Sequence, residues 1–365
     1  MLGIREELVD FSPYSPGLSI DEIKDKYNLA NVIKMASNEN PLGTSPRVVE
    51  VIKKFGPYAF RYPRKGNPEL VEKLSDILNI PDEYIVVTNG SDEIIDLIIR
   101  VLAVPYRDNI VVFDPSFSIY RMQGKFHGIS VKYVPLNKDF SFNFNGILDV
   151  LDENTKIIFI TNPDNPSGYC LPFQEIIKFL HKIPENVLLV VDEAYVEFSD
   201  DPEYYSCVRE VVNQKNLGVI RTFSKLYGLA GLRIGYGILP LKLSDYIKRV
   251  KLPFSVNFLA EKAAIEVLED FAFVEHTRNT VIEGRRYLKE EMEKLDCLIY
   301  PSQANFLMFK PPTHATIVFE GLLKRGIIIR PLKSYGLDDH LRVSVGREDE
   351  NRLFIHYLKQ ILESC

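Results

Sequence analysis

Residues 187–195 read Val-Leu-Leu-Val-Val-Asp-Glu-Ala-Tyr, and this segment indicates the fold class more clearly than any other. Its five apolar residues do not alternate with polar ones, so the segment predicts a strand that is buried on both faces. Asp192 follows directly, and an acid at the end of a buried strand is costly unless it has a partner. Two interpretations fit this acid: it caps the next helix, or it meets a cationic ring nitrogen.

Similar apolar runs of strand length recur between residues 80 and 240. They cover residues 85–88, 110–113, 131–134, 157–160 and 218–221. Stretches with apolar residues every three or four positions, such as 93–102 and 172–180, lie between these runs and predict helices. The alternation predicts an α/β fold, with a mostly parallel sheet between two layers of helices.

The pattern changes after residue 270, where a long helical stretch (272–295) leads into short strands mixed with helices. This mixture predicts a smaller α+β domain. We therefore expect a large domain over residues 36–270, and a small domain built from residues 1–35 and 271–365. Near the start of the chain, Ser19-Ile20-Asp21-Glu22 fits a capping box that begins a helix.

Composition narrows the class of protein. The chain has 365 residues, 46% hydrophobic and 26% charged, with a net charge of −6, which is typical of a globular protein and argues against a nucleic-acid partner. No apolar run approaches the roughly 20 residues of a membrane helix. The 4 cysteines form no C-x-x-C and the 6 histidines no H-E-x-x-H, so we expect a reduced, cytoplasmic protein without a metal.

Ligands of open α/β sheets bind beyond the carboxyl ends of the strands, so the polar residues that follow each apolar run are candidates for a site. After residues 85–88 comes Asn89-Gly90-Ser91-Asp92, which begins a predicted helix. Glycine permits a tight turn, and the free amides at a helix start bind phosphate well. An ordinary glycine turn with a serine cap is the alternative.

Two further strand ends carry unusual polar residues. Residues 161–168 read Thr-Asn-Pro-Asp-Asn-Pro-Ser-Gly, and the two Asn-Pro pairs predict a rigid turn that orients Asn165. Residues 222–236 place Lys225 in an apolar, glycine-rich stretch. Burial would lower the pKa of this lysine and make its amine a nucleophile toward carbonyl groups. The alternative is a structural lysine.

Taken together, five of these residues match a known family. Asn165, Asp192, Tyr195, Lys225 and Arg233 follow the pattern N-x26-D-x2-Y-x29-K-x7-R, which resembles the pyridoxal-phosphate aminotransferases of fold type I. Within that family the sequence is most similar to the histidinol-phosphate aminotransferases. The supporting segments are 36–43 (ASNENPLG), 61–63 (RYP), 162–168 (NPDNPSG), 192–195 (DEAY), 224–235 (SKLYGLAGLRIG) and 341–346 (LRVSVG).

The resemblance implies a pyridoxal 5'-phosphate cofactor and a role for each of these residues. Lys225 would form a Schiff base with the cofactor and later move the substrate proton. Asp192 would pair with the protonated pyridine nitrogen and so strengthen the ring as an electron sink. Asn165 and Tyr195 would hydrogen-bond the phenolic oxygen of the cofactor.

The resemblance also implies how the rest of the cofactor is held. The residues expected to bind its phosphate are Ser91, Asp92, Ser224 and Arg233. Phe117, in the segment PSFSIY (115–120), occupies the position of the aromatic residue that stacks on the ring. Tyr62 resembles a tyrosine that reaches the phosphate from the neighbouring subunit, so the resemblance implies a homodimer with shared active sites.

The family's substrate residues correspond to Tyr14, Asn38, Arg330 and Arg342. Arg342 would bind the phosphate of histidinol phosphate, helped by Arg330 and Tyr14, and would bind glutamate through its carboxylate in the other half-reaction. The implied activity is transamination between histidinol phosphate and 2-oxoglutarate, in histidine biosynthesis. The alternative for the two arginines is a pair of surface salt bridges.

The sequence also departs from the family pattern and leaves other functions open. Arg64-Lys65 stands where an acid is usual, Asp164 and Ser167 replace the commoner Asn and Thr, and Phe117 replaces Tyr. Another phosphorylated or aromatic amino substrate, or a decarboxylase resembling threonine-phosphate decarboxylase, fits the same cofactor residues. A cofactor-sensing regulator lacks support because only about 35 residues precede the first core motif. No dinucleotide fingerprint follows a strand.

Overall fold

The computed structural model describes residues 3–9, 11 and 18–364. The α-helices in these ranges are α1 (Glu6–Val9), α2 (Ile20–Tyr27), α3 (Pro46–Phe55), α4 (Pro68–Leu78), α5 (Ser91–Leu102), α6 (Ser118–Phe126), α7 (Phe144–Val150), α8 (Phe173–Leu180), α9 (Pro202–Tyr205), α10 (Leu241–Val250), α11 (Phe258–Leu268), α12 (Phe271–Glu293), α13 (Ala315–Lys324) and α14 (Glu348–Glu363). The strands are β1 (Ile33–Lys34), β2 (Ile85–Thr88), β3 (Asn109–Asp114), β4 (Ser130–Pro135), β5 (Thr155–Thr161), β6 (Leu188–Asp192), β7 (Leu217–Thr222), β8 (Gly235–Ile238), β9 (Leu298–Ile299), β10 (Phe306–Lys310), β11 (Ile327–Ile328), β12 (Arg330–Pro331) and β13 (Leu341–Ser344). None of the described helices combines the length and apolar composition needed to cross a bilayer.

The larger sheet has seven strands in the order β2-β8-β7-β6-β5-β3-β4. Strands β3 to β7 are parallel, whereas β8 is antiparallel to both neighbours. The six apolar runs all form strands, so the predicted mostly parallel α/β sheet is confirmed. The sequence pattern does not predict β8, because two of its four residues are Gly235 and Gly237. A Cβ at Gly237 would lie 2.9 Å from Ile94 of α5, so this helix packs directly on the backbone.

Burial on both faces explains the uninterrupted apolar runs of this sheet. In β6, Leu189 and Val191 belong to one hydrophobic cluster. Leu188 and Val190 belong to another, on the opposite face. Because alternate residues of a strand point to opposite faces, each face needs apolar side chains to pack against its layer of helices.

The smaller sheet is antiparallel, with the strand order β12-β13-β10-β9. Its core joins the sheet to the last three long helices: Leu288 of α12, Leu322 of α13 and Phe354 of α14 are buried in one cluster with Phe306 of β10. The long predicted helix of residues 272–295 is therefore present, as α12.

The N-terminal segment contacts both parts of the molecule. Strand β1 pairs in parallel with β11, and Ile23 of α2 packs against Leu323 and Ile328. Ser19 caps α2 through the predicted box. Phe11, in contrast, packs against Phe126 of α6, with ring centroids 6.5 Å apart. The domain boundaries at residues 35/36 and 270/271 stay a prediction.

Candidate active site

A cavity of about 360 Å³ lies at the carboxyl ends of three parallel strands. Its wall includes the last residues of β5, β6 and β7, which are Thr161, Asp192 and Thr222. A smaller cavity of about 90 Å³ also contacts Lys225 and extends to Arg342 on the smaller sheet. The site is thus built where strand ends of the large sheet meet one face of the small sheet.

The acid predicted from the strand end lies at the floor of the cavity. Asp192 is only 2% exposed. Its Oδ2 accepts a hydrogen bond of 2.8 Å from the Tyr120 hydroxyl, and its Oδ1 accepts one of 3.1 Å from the Ala194 N–H. Burial above all raises the pKa of this carboxyl to about 7, with a further contribution from Asp92 and Glu193. A cation placed in the cavity would favour the ionised form.

The predicted nucleophile lies in the same cavity. The Lys225 Nζ donates a hydrogen bond of 3.2 Å to the Ser37 carbonyl and lies 5.8 Å from the centre of the Tyr195 ring. Burial, followed by the positive charge of Arg342, lowers the pKa of this lysine to about 8. At this pKa roughly a tenth of the amine is neutral at pH 7, and the neutral amine is the form that attacks a carbonyl.

Donors for an anion converge at the start of α5. The Arg233 guanidinium lies 3.4 Å from the Ser224 hydroxyl and 3.1 Å from the Asp92 carboxylate. The first residue of the helix is Ser91, which lines the same cavity. A Cβ at Gly235 would lie 2.6 Å from the Ser91 amide nitrogen, so only glycine allows this approach. A hydroxyl, a helix N-terminus and a guanidinium together form a site for a phosphate.

The turn of residues 161–168 holds Asn165 as its Asn-Pro pairs predict. The Asp164 carboxylate accepts hydrogen bonds from the backbone N–H (3.1 Å) and the hydroxyl (2.6 Å) of Ser167, which close the turn. Asn165 is buried, and its Oδ1 accepts a hydrogen bond of 2.5 Å from Arg342. Asp164 and Ser167, the two residues that depart from the family pattern, therefore form hydrogen bonds with each other that hold the turn.

Asn38 connects the two sides of the site. Its Nδ2 donates a hydrogen bond of 3.2 Å to the Tyr195 hydroxyl, and its Oδ1 accepts one of 2.9 Å from Ser344 of β13. The Asn305 side chain bonds the Asn38 carbonyl at 3.0 Å. Asn38 has φ = +55°, a conformation that asparagine tolerates better than most residues. This residue lies in the smaller cavity.

The two arginines of the small sheet are direct cross-strand partners. Arg330 of β12 pairs with Arg342 of β13, so both side chains lie on the same face of the sheet, and both line the smaller cavity. Arg342 is buried and donates a hydrogen bond of 2.9 Å to the Ala36 carbonyl. Its Nε is buried without a partner among the described residues. Burial makes a surface salt bridge the wrong interpretation for Arg342.

Most of the predicted site residues therefore come together in the two cavities. They are Asn38, Ser91, Asp92, Phe117, Asn165, Asp192, Tyr195, Ser224, Lys225, Arg233, Arg330 and Arg342. Tyr62 does not: it is 82% exposed and stacks on Phe254, with ring centroids 4.9 Å apart. Tyr14 lies outside the described residues. Within the described ranges, no group of three or more His, Cys, Asp or Glu side chains could hold a metal ion.

Some residues in or beside the two cavities were not predicted as site residues, and four of them are polar side chains of note. Glu39 and Thr161 line the larger cavity, and Tyr335 lines the smaller one. Tyr120 hydrogen-bonds Asp192 from α6. The sequence could have indicated two of them, because each lies close to a predicted site residue: Glu39 follows Asn38 directly, and Tyr120 lies one helical turn after Phe117. Tyr335 lies in a short 3₁₀ turn after β12, and nothing in the sequence around it indicates a role in the site.

Comparison with known proteins gives the family. The profile described as "Aminotransferase class I and II" matches residues 30–358. A histidinol-phosphate aminotransferase of Nitratidesulfovibrio vulgaris is 53% identical over 359 residues, which cover 98% of this chain and 96% of the relative. One of Oleidesulfovibrio alaskensis is 51% identical over 363 residues, with 98% and 95% covered.

Solved structures give the same fold. The histidinol-phosphate aminotransferase of Sinorhizobium meliloti, in complex with pyridoxal-5'-phosphate, has a TM-score of 0.89 at 23% identity, with 100% of this chain and 99% of that chain covered. Together with the profile match, this neighbour confirms the predicted α/β fold, fold type I. The profile match shows that the chain belongs to the aminotransferase class I and II family. Its identity to the two relatives shows that, within this family, it belongs to the histidinol-phosphate aminotransferases.

Proposed function

We propose that this protein transfers an amino group between histidinol phosphate and 2-oxoglutarate, with pyridoxal phosphate as cofactor. The observation that carries the proposal is the joint position of four groups. The Lys225 amine and the Asp192 carboxylate line one cavity, and the Arg330–Arg342 pair lines the cavity adjoining it. An amine, an acid and an anion site are what this reaction requires of the protein.

The residues of the larger cavity fit the cofactor in charge and in shape. Asp192 would hold the ring nitrogen, because its carboxylate accepts hydrogen bonds at the floor and favours a cationic partner. Ser91, Ser224 and Arg233 would hold the phosphate, at the turn against whose backbone Gly235 packs closely. When bound, pyridoxal phosphate supplies an aldehyde that captures the amino group and a ring that withdraws electrons from the reacting carbon.

Lys225 is the residue that moves the proton. Because burial and Arg342 lower its pKa to about 8, the amine can both accept and return a proton near neutral pH. Its neighbours restrict where it acts: the amine donates to the Ser37 carbonyl and lies beside the Tyr195 ring.

The arginine pair selects substrates by their anionic end. A guanidinium fork can bind two oxygens of either a phosphate or a carboxylate, so the same pair serves both half-reactions. In this structure the Arg342 guanidinium is directed by Asn165 and the Ala36 carbonyl, which leaves its buried Nε available to a ligand. A small cavity of about 90 Å³ suits the anionic tip of a substrate rather than its ring.

The exposed aromatic residues support a homodimer. Phe60 and Tyr62 are 78% and 82% exposed, and Leu252 and Phe254 extend the apolar surface beside them. Exposed apolar side chains grouped in this way are typical of a protein–protein interface. A second copy of the chain bound to this surface would bring Tyr62 toward the active site of that copy. Sedimentation of the cofactor-loaded protein measures whether the dimer forms. As part of the same proposal, we place the enzyme in the cytoplasm.

A single-turnover spectral screen tests the function. Protein reconstituted with pyridoxal phosphate is mixed with histidinol phosphate, phenylalanine, tyrosine or phosphoserine, and the loss of the cofactor's visible band is timed. We expect the fastest loss with histidinol phosphate, and recovery of the band on adding 2-oxoglutarate. Preference for an aromatic amino acid would change the substrate, and carbon dioxide release without keto-acid turnover would indicate a decarboxylase. A protein with no visible band after reconstitution would contradict the whole proposal.

A further inference from the structure

We infer that Tyr120 is a positioning residue that fixes the Asp192 carboxylate for the cofactor through a buried chain of hydroxyl groups beginning at Thr161. The inference rests on the proposed function and deepens it. It assigns a task to a side chain that lies outside both cavities, on α6.

Charge sets the direction of this chain. The Tyr120 hydroxyl lies 2.8 Å from Asp192 Oδ2 and 2.8 Å from the Thr161 hydroxyl. An ionised carboxylate can only accept, so the tyrosine hydrogen is directed to Asp192. The tyrosine oxygen is then free to accept the Thr161 hydrogen. Each hydroxyl therefore donates toward the acid, and each donation strengthens the next.

The strand register brings the two ends of the chain together. Thr161 and Asp192 are the last residues of β5 and β6 and are paired directly across the two strands. Tyr120 reaches both from the helix layer and is fully buried. A tyrosine at this depth needs partners for its hydroxyl, and these two residues are the ones the structure provides.

Aromatic packing keeps the Tyr120 ring in place. The ring stacks on Phe159 of β5 at a centroid distance of 4.8 Å and an angle of 6°. Phe117, which lines the cavity, meets it edge-on at 5.5 Å. Offset and edge contacts of this kind fix a ring more firmly than area burial alone. Tyr120 thus contacts both the acid and the aromatic residue of the cofactor cavity.

The two carboxylate oxygens have separate donors. Oδ2 accepts from Tyr120, and Oδ1 accepts from the Ala194 N–H. A carboxylate has about four acceptor positions, so Asp192 is fixed in its plane and retains capacity for a further donor from the cavity side. The negative charges of Asp92 and Glu193 oppose its ionisation, and the Tyr120 hydrogen bond favours it.

The test removes one oxygen atom. In Tyr120→Phe the ring packing stays and the hydrogen bond to Asp192 is lost. We expect the dissociation constant for pyridoxal phosphate, measured by equilibrium dialysis, to rise about 10- to 100-fold, since the lost bond involves a charged acceptor. The absorption maximum of the bound cofactor should also shift, because the environment of its ring nitrogen changes. Thr161→Val should change both quantities in the same direction by a smaller factor.

Tyr133→Phe is the matched control, since this tyrosine of β4 is 41% exposed and lies outside both cavities. It should leave binding and spectrum unchanged. Thermal unfolding of the cofactor-free variants checks that each one folds. A folded Tyr120→Phe variant with the cofactor affinity and spectrum of the native protein would overturn the inference. If the native protein itself failed to bind pyridoxal phosphate, the proposed function would fail instead, so the two failures are distinguishable.

Discussion

The two ends of the active-site cavity use buried charge in opposite ways. At the strand ends of the large sheet, Asp192 and Lys225 are buried groups whose pKa values move toward neutrality, to about 7 and about 8. At the small sheet, Arg330 and Arg342 carry guanidinium groups, whose planar sets of N–H donors match the oxygens of a phosphate or a carboxylate. One end is therefore suited to holding and moving protons, and the other to attracting an anion.

The difference follows from the hydrogen bonds available at each end. Asp192 has a tyrosine hydroxyl and one amide as donors, and no cation lies beside it in the described part of the chain, so burial dominates its ionisation. Arg342 is also buried, but a carbonyl and the Asn165 amide oxygen accept from it. The two ends interact as well, because the charge of Arg342 helps to lower the pKa of Lys225.

Removing the amine should have the largest effect. In Lys225→Met, we expect the single-turnover rate with histidinol phosphate to fall at least about 1,000-fold, since the proton-transfer group is lost. Borohydride reduction of the cofactor-loaded native protein, followed by peptide mapping, should place the cofactor on Lys225, and the variant should carry none. Lys215→Met, at an exposed lysine outside both cavities, is the control. Labelling of any other lysine in the native protein would contradict the assignment.

Changing the fork at the opposite end should have an intermediate effect. In Arg342→Lys the positive charge stays but bidentate binding is lost, so KM should rise roughly 10- to 100-fold. Steady-state kinetics should show the rise for both histidinol phosphate and 2-oxoglutarate, because one site binds both anions. Arg347→Lys, at an exposed position, serves as the control. A rise for one substrate alone would mean that the two anions bind in different places.

The same two ends differ in how far the sequence predicts them. Asp192 ends a strand, and Asn165 and Lys225 lie just after strands. The carboxyl ends of parallel strands share one edge of the sheet, so the order of apolar runs and polar residues is enough to predict that the three lie close together. The position of Arg330 opposite Arg342 depends on the antiparallel register of β12 and β13, which no local pattern fixes. The family resemblance alone indicated these arginines.

Contacts between the helices and the large sheet are not predictable from the sequence for a similar reason. Tyr120 reads as an apolar residue on the buried face of a helix, and its hydrogen bond to Asp192 depends on where α6 packs against β5 and β6. Strand β8 has glycines where α5 packs against its backbone. Because the close approach of the helix requires glycine there, the strand lacks the run of apolar side chains by which a sequence predicts a buried strand. Both features are set by tertiary packing, which overrides the local signal.

The smallest predicted effect tests the link between the two ends. With saturating pyridoxal phosphate, the rate at which the cofactor-free protein forms its visible band should follow the neutral fraction of Lys225. Its pKa of about 8 lies below the ordinary value of 10.5, so this rate should rise roughly fivefold from pH 7 to pH 8 and level off above about pH 9. Arg342→Gln removes a charge that lowers this pKa, so the plateau should move to higher pH, whereas Arg342→Lys should leave it in place. If the plateau did not move in Arg342→Gln, burial and the charges on the large-sheet side would set the pKa of Lys225. The two ends of the cavity would then act independently.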